Sequence, residues 1–332
     1  MRWKAWFFGS VVLGAGIFVL ASFAIKPLAA AEEKPVDYRA WGEDHVEQEL
    51  PEYTTGTECL FCHRDYVAPR WKKNAHNRTM REAEPSDPAM IALRQVSSES
   101  AVAKEAEILL GSKNHVRFMK KLPGYGVAAL SGELFLAADN KIRFVQEAGW
   151  HEETFNQKCA GCHATAIDTQ TVTFGTTGLD CYVCHGILEL EHANDTTTTL
   201  FAKKHEDDPR VVTSVCGQCH LRGGTSTATG RPYPTVFVAG DNLFKDFQVD
   251  WTDPALVNMD KVDRHIFENA RDVMTRGSII SCTSCHSIHD ESSEKHQSLD
   301  QEKSCEVCHD PGKPLSEVEW PKTRSNKTCQ YP

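Results

Sequence analysis

Six copies of one pentapeptide, Cys-x-x-Cys-His, run through the 332-residue chain. They stand at Cys59, Cys62 and His63; at Cys159, Cys162 and His163; at Cys181, Cys184 and His185; at Cys216, Cys219 and His220; at Cys282, Cys285 and His286; and at Cys305, Cys308 and His309. Two thiols at this separation can hold half a zinc site, cycle as a redox disulfide, or form thioethers to the two vinyls on one porphyrin edge. The histidine decides among these. Placed directly after the second cysteine, it turns back to ligate the iron of an attached haem, a role that neither zinc nor a disulfide requires at that position. It is present in every copy, and the copies use twelve of the thirteen cysteines. The pattern predicts six covalently attached haem c groups, and leaves Cys329 as an incidental thiol.

Each iron needs a second axial ligand, and nine histidines lie outside the motifs: His45, His76, His115, His151, His192, His205, His265, His289 and His296. His76 follows the first motif in an apparently helical run past Pro69, with Trp71 placed to stack on porphyrin. It reads as a ligand. His115 opens a strand, where a plain strand histidine and a haem ligand remain equally open. His192 comes seven residues after His185, and His289 and His296 lie between the fifth and sixth motifs. His265 and Met274 both precede the fifth motif on one helical stretch, and His265 is the preferred ligand of the two. His45 lies in a polar loop and is expected to be solvated. Nine candidates for six positions leave no shortage that forces an open iron.

The elements that must position these residues are mainly helical, joined by long loops. Asp87 to Leu110 reads as helix, opened by Ser86-Asp87-Pro88 as cap and first-turn proline. After Gly111 the segments HVRFM, GELFLA and KIRFVQ alternate apolar with polar residues and predict a small antiparallel meander over about residues 112–147. Between Trp150 and His220 the motifs crowd too closely for a separate fold around each haem. The segment LRGGTSTATGRPYP reads as a loop packed against haem. Asp253-Pro254 opens a further helix with Val262, Ile266, Ala270 and Val273 on one face. With 40% apolar and 25% charged residues, the chain is expected to use its haems as core. The expected fold is therefore a multihaem cytochrome c fold, residues 58–332, with a β insertion.

Residues 1–31 carry a basic lead (Arg2, Lys4) and an uncharged apolar run from Ala5 to Ile25, followed by an Ala-x-Ala site before Glu32. A retained membrane anchor and a cleaved signal peptide both fit, and either exports the body of the protein to the periplasmic side of the cytoplasmic membrane. Residues 32–57 are acidic and aperiodic, a linker or an extended arm. The net charge of −10 disfavours nucleic acid and fits redox protein partners with basic docking faces.

On these residues the chain resembles the multihaem c-type cytochromes grouped around the tetrahaem electron acceptor of hydroxylamine oxidoreductase. That superfamily also contains hydroxylamine oxidoreductase and pentahaem nitrite reductase. The resemblance rests on Cys59–His63 with Trp71 and His76, on Gly111 and His115, on Cys159–His163, on Cys181–Gly186 with His192, on Cys216–His220, and on Cys282–His286 with His289. It implies mostly helical folds, parallel-stacked and perpendicular haem pairs, and predominantly bis-histidine ligation, with His76, His115, His192 and His289 as distal ligands by position. Two departures stand out. No motif here ends in lysine, as the catalytic motif of the pentahaem enzymes usually does, and Gly186-Ile187 stands where relatives often have Gly-Pro-Gly.

Two functions follow from these residues. Saturated irons make an electron-transfer protein that passes electrons from a respiratory donor along six haems to a downstream acceptor. One open iron would instead make an oxidoreductase acting on nitrite, hydroxylamine or tetrathionate, which would need a pocket of proton donors that no motif supplies. The absence of a lysine-ended motif favours electron transfer.

Overall fold

Short helices carry the cysteine motifs, and strands fill the stretch between the first motif and the second. The computed structural model describes residues 44–97, 101–111, 116–122, 127–130, 135–136, 142–143, 150–168, 173–202, 207–252 and 258–292, all in the unit spanning residues 35–332. In chain order the elements are α1 (Gly56–Cys62), α2 (Val67–Trp71), β1 (Met80–Glu82), α3 (Pro88–Ser97), α4 (Ala101–Glu105), β2 (Ile108–Leu110), β3 (Arg117–Lys121) and β4 (Val127–Leu130). There follow β5 (Phe135–Leu136), β6 (Ile142–Arg143), β7 (Trp150–His151), α5 (Glu152–Lys158), α6 (Ala160–His163), β8 (Ala164–Asp168), β9 (Thr173–Thr177) and α7 (Cys181–His185). The described part closes with α8 (Pro209–His220), β10 (Thr225–Ser226), β11 (Phe247–Gln248) and α9 (Lys261–Arg276). No helix among the described residues is long and apolar enough to cross a membrane. The run from Ala5 to Ile25 lies outside them.

Of the segments expected to form a meander over residues 112–147, only HVRFM enters a larger sheet among the described residues, and GELFLA and KIRFVQ pair with each other apart from it. Five antiparallel strands lie in the order β1-β2-β3-β4-β7, and β5 pairs with β6 in a separate hairpin. The helix expected to run from Asp87 to Leu110 is two helices and a strand. Asp87 does open α3, its Oδ1 accepting from the Ala89 amide at 2.9 Å. At the far end, Ile108, Leu109 and Leu110 are buried on consecutive positions, as in a strand covered on both faces. β2 lies between β1 and β3, with Leu109 opposite Phe118 and Ile108 opposite Met119.

The two sheet faces have different jobs. Leu109 and Phe118 pack with Ala89, Met90, Leu93, Val102 and Ala103 of α3 and α4. On the other face Met80, Ile108, Leu110 and Met119 pack with Phe155, Ala160 and Ala164, which belong to α5, α6 and β8. The sheet thus backs the second motif. A third apolar cluster joins Leu221, Leu243, Phe244 and Phe247 to Phe267, Ala270, Val273 and Met274 of α9. Polypeptide cores therefore exist beside any haem.

α9 starts at Asp260, whose Oδ1 accepts from the amides of Val262 and Asp263 at 2.8 and 3.0 Å, and it ends on Gly277 at φ +68°. Val262 does not share the buried face expected for it and is 67% exposed, because the stripe that packs runs through Ile266, Phe267, Ala270, Val273 and Met274. Residues 253–257, where this helix was expected to open, lie outside the described residues.

Candidate haem-binding site

The first four motifs sit on or at the end of an α-helix, so their two cysteines at i and i+3 and histidine at i+4 share one face. α7 is capped by Asp180, whose side chain accepts from the Tyr182 amide, and α8 by Asp208 with Pro209 in its first turn. The fifth motif starts in a 3-10 turn, Cys282–Ser284, with Cys285 and His286 just beyond it. The sixth motif, Cys305, Cys308 and His309, lies outside the described residues, as do His115, His205, His296 and Cys329.

Three motif histidines face a histidine from elsewhere in the chain. The ring planes of His63 and His192 lie 20° from parallel with centroids 6.3 Å apart, and those of His185 and His289 lie 23° from parallel at 5.8 Å. His76 and His220 face each other edge-on at 6.0 Å, with ring planes at 82°. An iron bound by two imidazoles at about 2 Å each would place their centroids roughly 6 Å apart. All three separations have that size.

Four of the histidines commit their Nδ1 to an oxygen acceptor. His185 Nδ1 donates to Leu200 O at 2.9 Å, His192 Nδ1 to Glu189 O at 2.5 Å, His163 Nδ1 to Thr79 O at 3.2 Å and His76 Nδ1 to Asn74 Oδ1 at 3.1 Å. With Nδ1 carrying the proton, Nε2 holds the lone pair that a metal takes. Burial holds the pKa of His163, His286 and His289 below the ordinary imidazole value, and burial followed by the neighbouring His289 does the same for His185. The neutral ring, the form that ligates, is therefore favoured.

The motifs also meet one another through their thiols. Cys59 lies beside Cys181, Cys162 beside Cys219, and Cys216 beside Cys282. The Cys181 partner draws the Cys59 thiol down to about 7, and Cys181 itself is pushed up by the same contact. Burial pushes the Cys184 thiol up to about 11. The attachment sites are thus adjacent in three pairs: first with third, second with fourth, fourth with fifth.

His76 is not on a helix. α2 ends at Trp71, and a turn built on Asn74 takes over. The buried Asn74 side chain accepts from the His76 amide at 2.9 Å and donates to Ile288 O and Asp290 O at 2.7 and 2.6 Å, while Ser292 Oγ accepts from the Ala75 amide at 2.8 Å. The loops carrying His76 and His289 are in this way one unit. Trp71 lies parallel to the His76 ring at 6.3 Å and edge-on to His289 at 6.2 Å. Sequence reasoning missed Asn74, since a polar residue in an aperiodic loop carries no signal of its long-range partners.

His45 differs from expectation: its Nδ1 donates to Asp241 Oδ2 at 2.6 Å in a half-buried hydrogen bond, so it is no solvated loop histidine. His265 lies on α9 with the Asn269 amide nitrogen 3.2 Å from Nδ1. Met274 is fully buried in the apolar cluster that joins Leu221 and Phe244 to α9 and serves as core. The Gly-rich segment after the fourth motif turns back through Tyr233, whose ring lies against Gly161 inside the second motif. Its hydroxyl donates to Asn156 O.

A family described as cytochrome c554 and c-prime has a model that matches residues 136–186, which include the second and third motifs. No curated protein and no solved structure matches the chain significantly. The match supports a c-type cytochrome with covalently bound haem c and a part in electron transfer. The donor set fits that group, with paired thiols and a histidine on one helical face and opposed imidazoles at the spacing an iron requires.

Proposed function

We propose that the chain is an exported multihaem cytochrome that relays electrons and binds no substrate at iron. The observation that carries this reading is the set of three opposed histidine pairs, His63 with His192, His185 with His289 and His76 with His220, each at ligand spacing. Six covalently attached haem c groups supply the one-electron centres. The polypeptide holds both faces of each iron with imidazole, and a doubly ligated iron has no position left for a small molecule. His265, His296 and His115 are the ligands proposed for the remaining irons. Contacts between thiols of different motifs support attachment sites close enough for direct electron transfer. The acidic balance of the chain supports a redox partner with a basic docking face, and the basic, apolar start of the sequence supports residence at the outer side of the cytoplasmic membrane.

Addition of cyanide or nitrite to the oxidised protein tests this reading. The Soret band should not move within seconds, and a pyridine haemochrome assay should return six haems per chain. Rapid ligand binding at one haem would overturn the relay and favour an oxidoreductase acting on nitrite, hydroxylamine or tetrathionate.

A further inference from the structure

Asp180, the residue before Cys181, makes contacts that reach three motifs. Its Oδ1 accepts from the Tyr182 amide at 3.0 Å and caps α7, which carries the third motif. Its Oδ2 accepts from the Gly56 amide at 3.1 Å and from the Tyr53 hydroxyl, so the same carboxylate also holds the first residue of α1, which carries the first motif. Its backbone amide donates to Thr165 Oγ1 at 3.2 Å, two residues past His163 of the second motif. Thr165 is itself buried and donates to Gly178 O at 2.8 Å. Gly56 leaves no slack, because a Cβ there would stand 3.0 Å from the Asp180 Cβ. The Tyr53 ring is edge-on to Tyr182 at 5.5 Å, which closes the arm of residues 44–55 over this joint.

A carboxylate suits the place for a stereochemical reason. Its two oxygens are both acceptors, so one can cap α7 while the other receives two donors from the α1 side. Asparagine can keep only one of these arms, since its other end is a donor and would face the Gly56 N–H. Glutamate adds a methylene where the Gly56 backbone already lies against the Asp180 side chain.

We propose that Asp180 is a positioning residue that clamps the first attachment site against the third, and so sets the electronic coupling between the two haems they hold. This rests on the relay reading above. The clamp explains why Cys59 and Cys181, far apart in sequence, meet thiol to thiol.

The test uses the full mature chain as wild type, Asp180→Asn and Tyr53→Phe. Two properties are measured: the spin–spin interaction between low-spin irons in the oxidised EPR spectrum, and amide exchange at Gly56 and Tyr182. Asp180→Asn should weaken one interaction signal and speed exchange at Gly56 by about tenfold or more, while the haem count and low-spin character stay as in wild type. Tyr53→Phe removes one donor and leaves the α7 cap, and should show the same change to a smaller degree. It decides the matter if Asp180→Asn does not accumulate. Faster Gly56 exchange with an unchanged interaction signal would make Asp180 merely structural and overturn the proposal, as would no change in either variant. A high-spin iron already present in wild type would contradict the relay reading instead, and the comparison of variants would still report on the clamp.

Discussion

The clearest residue-scale consequences concern side chains fixed from two directions. His76 faces His220 and is held at Nδ1 by Asn74, so His76→Met should leave that haem low-spin and move one reduction wave to higher potential, because a thioether favours ferrous iron more than imidazole does. Potentiometric titration checks it, and an unchanged set of waves would remove His76 from the ligands. Gly161 is a different case. A Cβ there would lie 2.1 Å from Tyr233 Cδ2, and the buried tyrosine is pinned by its hydroxyl bond to Asn156 O, so it cannot swing away. Gly161→Ala should therefore destabilise the protein by about 1–3 kcal/mol, the ordinary cost of overpacking. Chemical denaturation of the mature protein would read it directly.

At the scale of elements, the loops carrying His76 and His289 behave as one body because Asn74 spans them. Asn74→Ala leaves the carbonyls of Ile288 and Asp290 without their donor in a buried place, which should cost about 2–4 kcal/mol and perturb both ligand sites together. Shifts in the near-infrared or EPR signals of two haems would show this, and a shift confined to one would separate the loops. Much at this scale could be read from the sequence and some could not. The Cys-x-x-Cys-His turns, the Asp87-Pro88 helix start and the strands around Phe118, Phe135 and Ile142 are local patterns. Leu109 was misjudged because a strand buried on both faces has the same apolar run as a buried helix end. The β8–β9 hairpin was missed because its threonine-rich strands lack a strong alternation. Which histidine faces which motif is set by long-range packing, and nothing local in His76 or His220 records that they meet.

At the scale of the whole molecule, three apolar polypeptide clusters stand beside the haem sites, one of them holding the sheet against the second motif. The chain thus buries apolar clusters of its own side chains. Cys162→Ser should lower accumulation of the full protein, with the β-rich part around α3 and α4 staying the most protease-resistant fragment because its core lies within residues 89–118. Complete loss of that fragment would make the haems the whole source of stability. The account's central claim is that every iron is held on both faces by the chain. Low-temperature EPR of the oxidised protein tests it most directly: the account predicts low-spin signals throughout, near-parallel imidazoles for the His63–His192 and His185–His289 pairs, and a distinct signal from the perpendicular His76–His220 pair. A high-spin signal amounting to one iron per chain would contradict it.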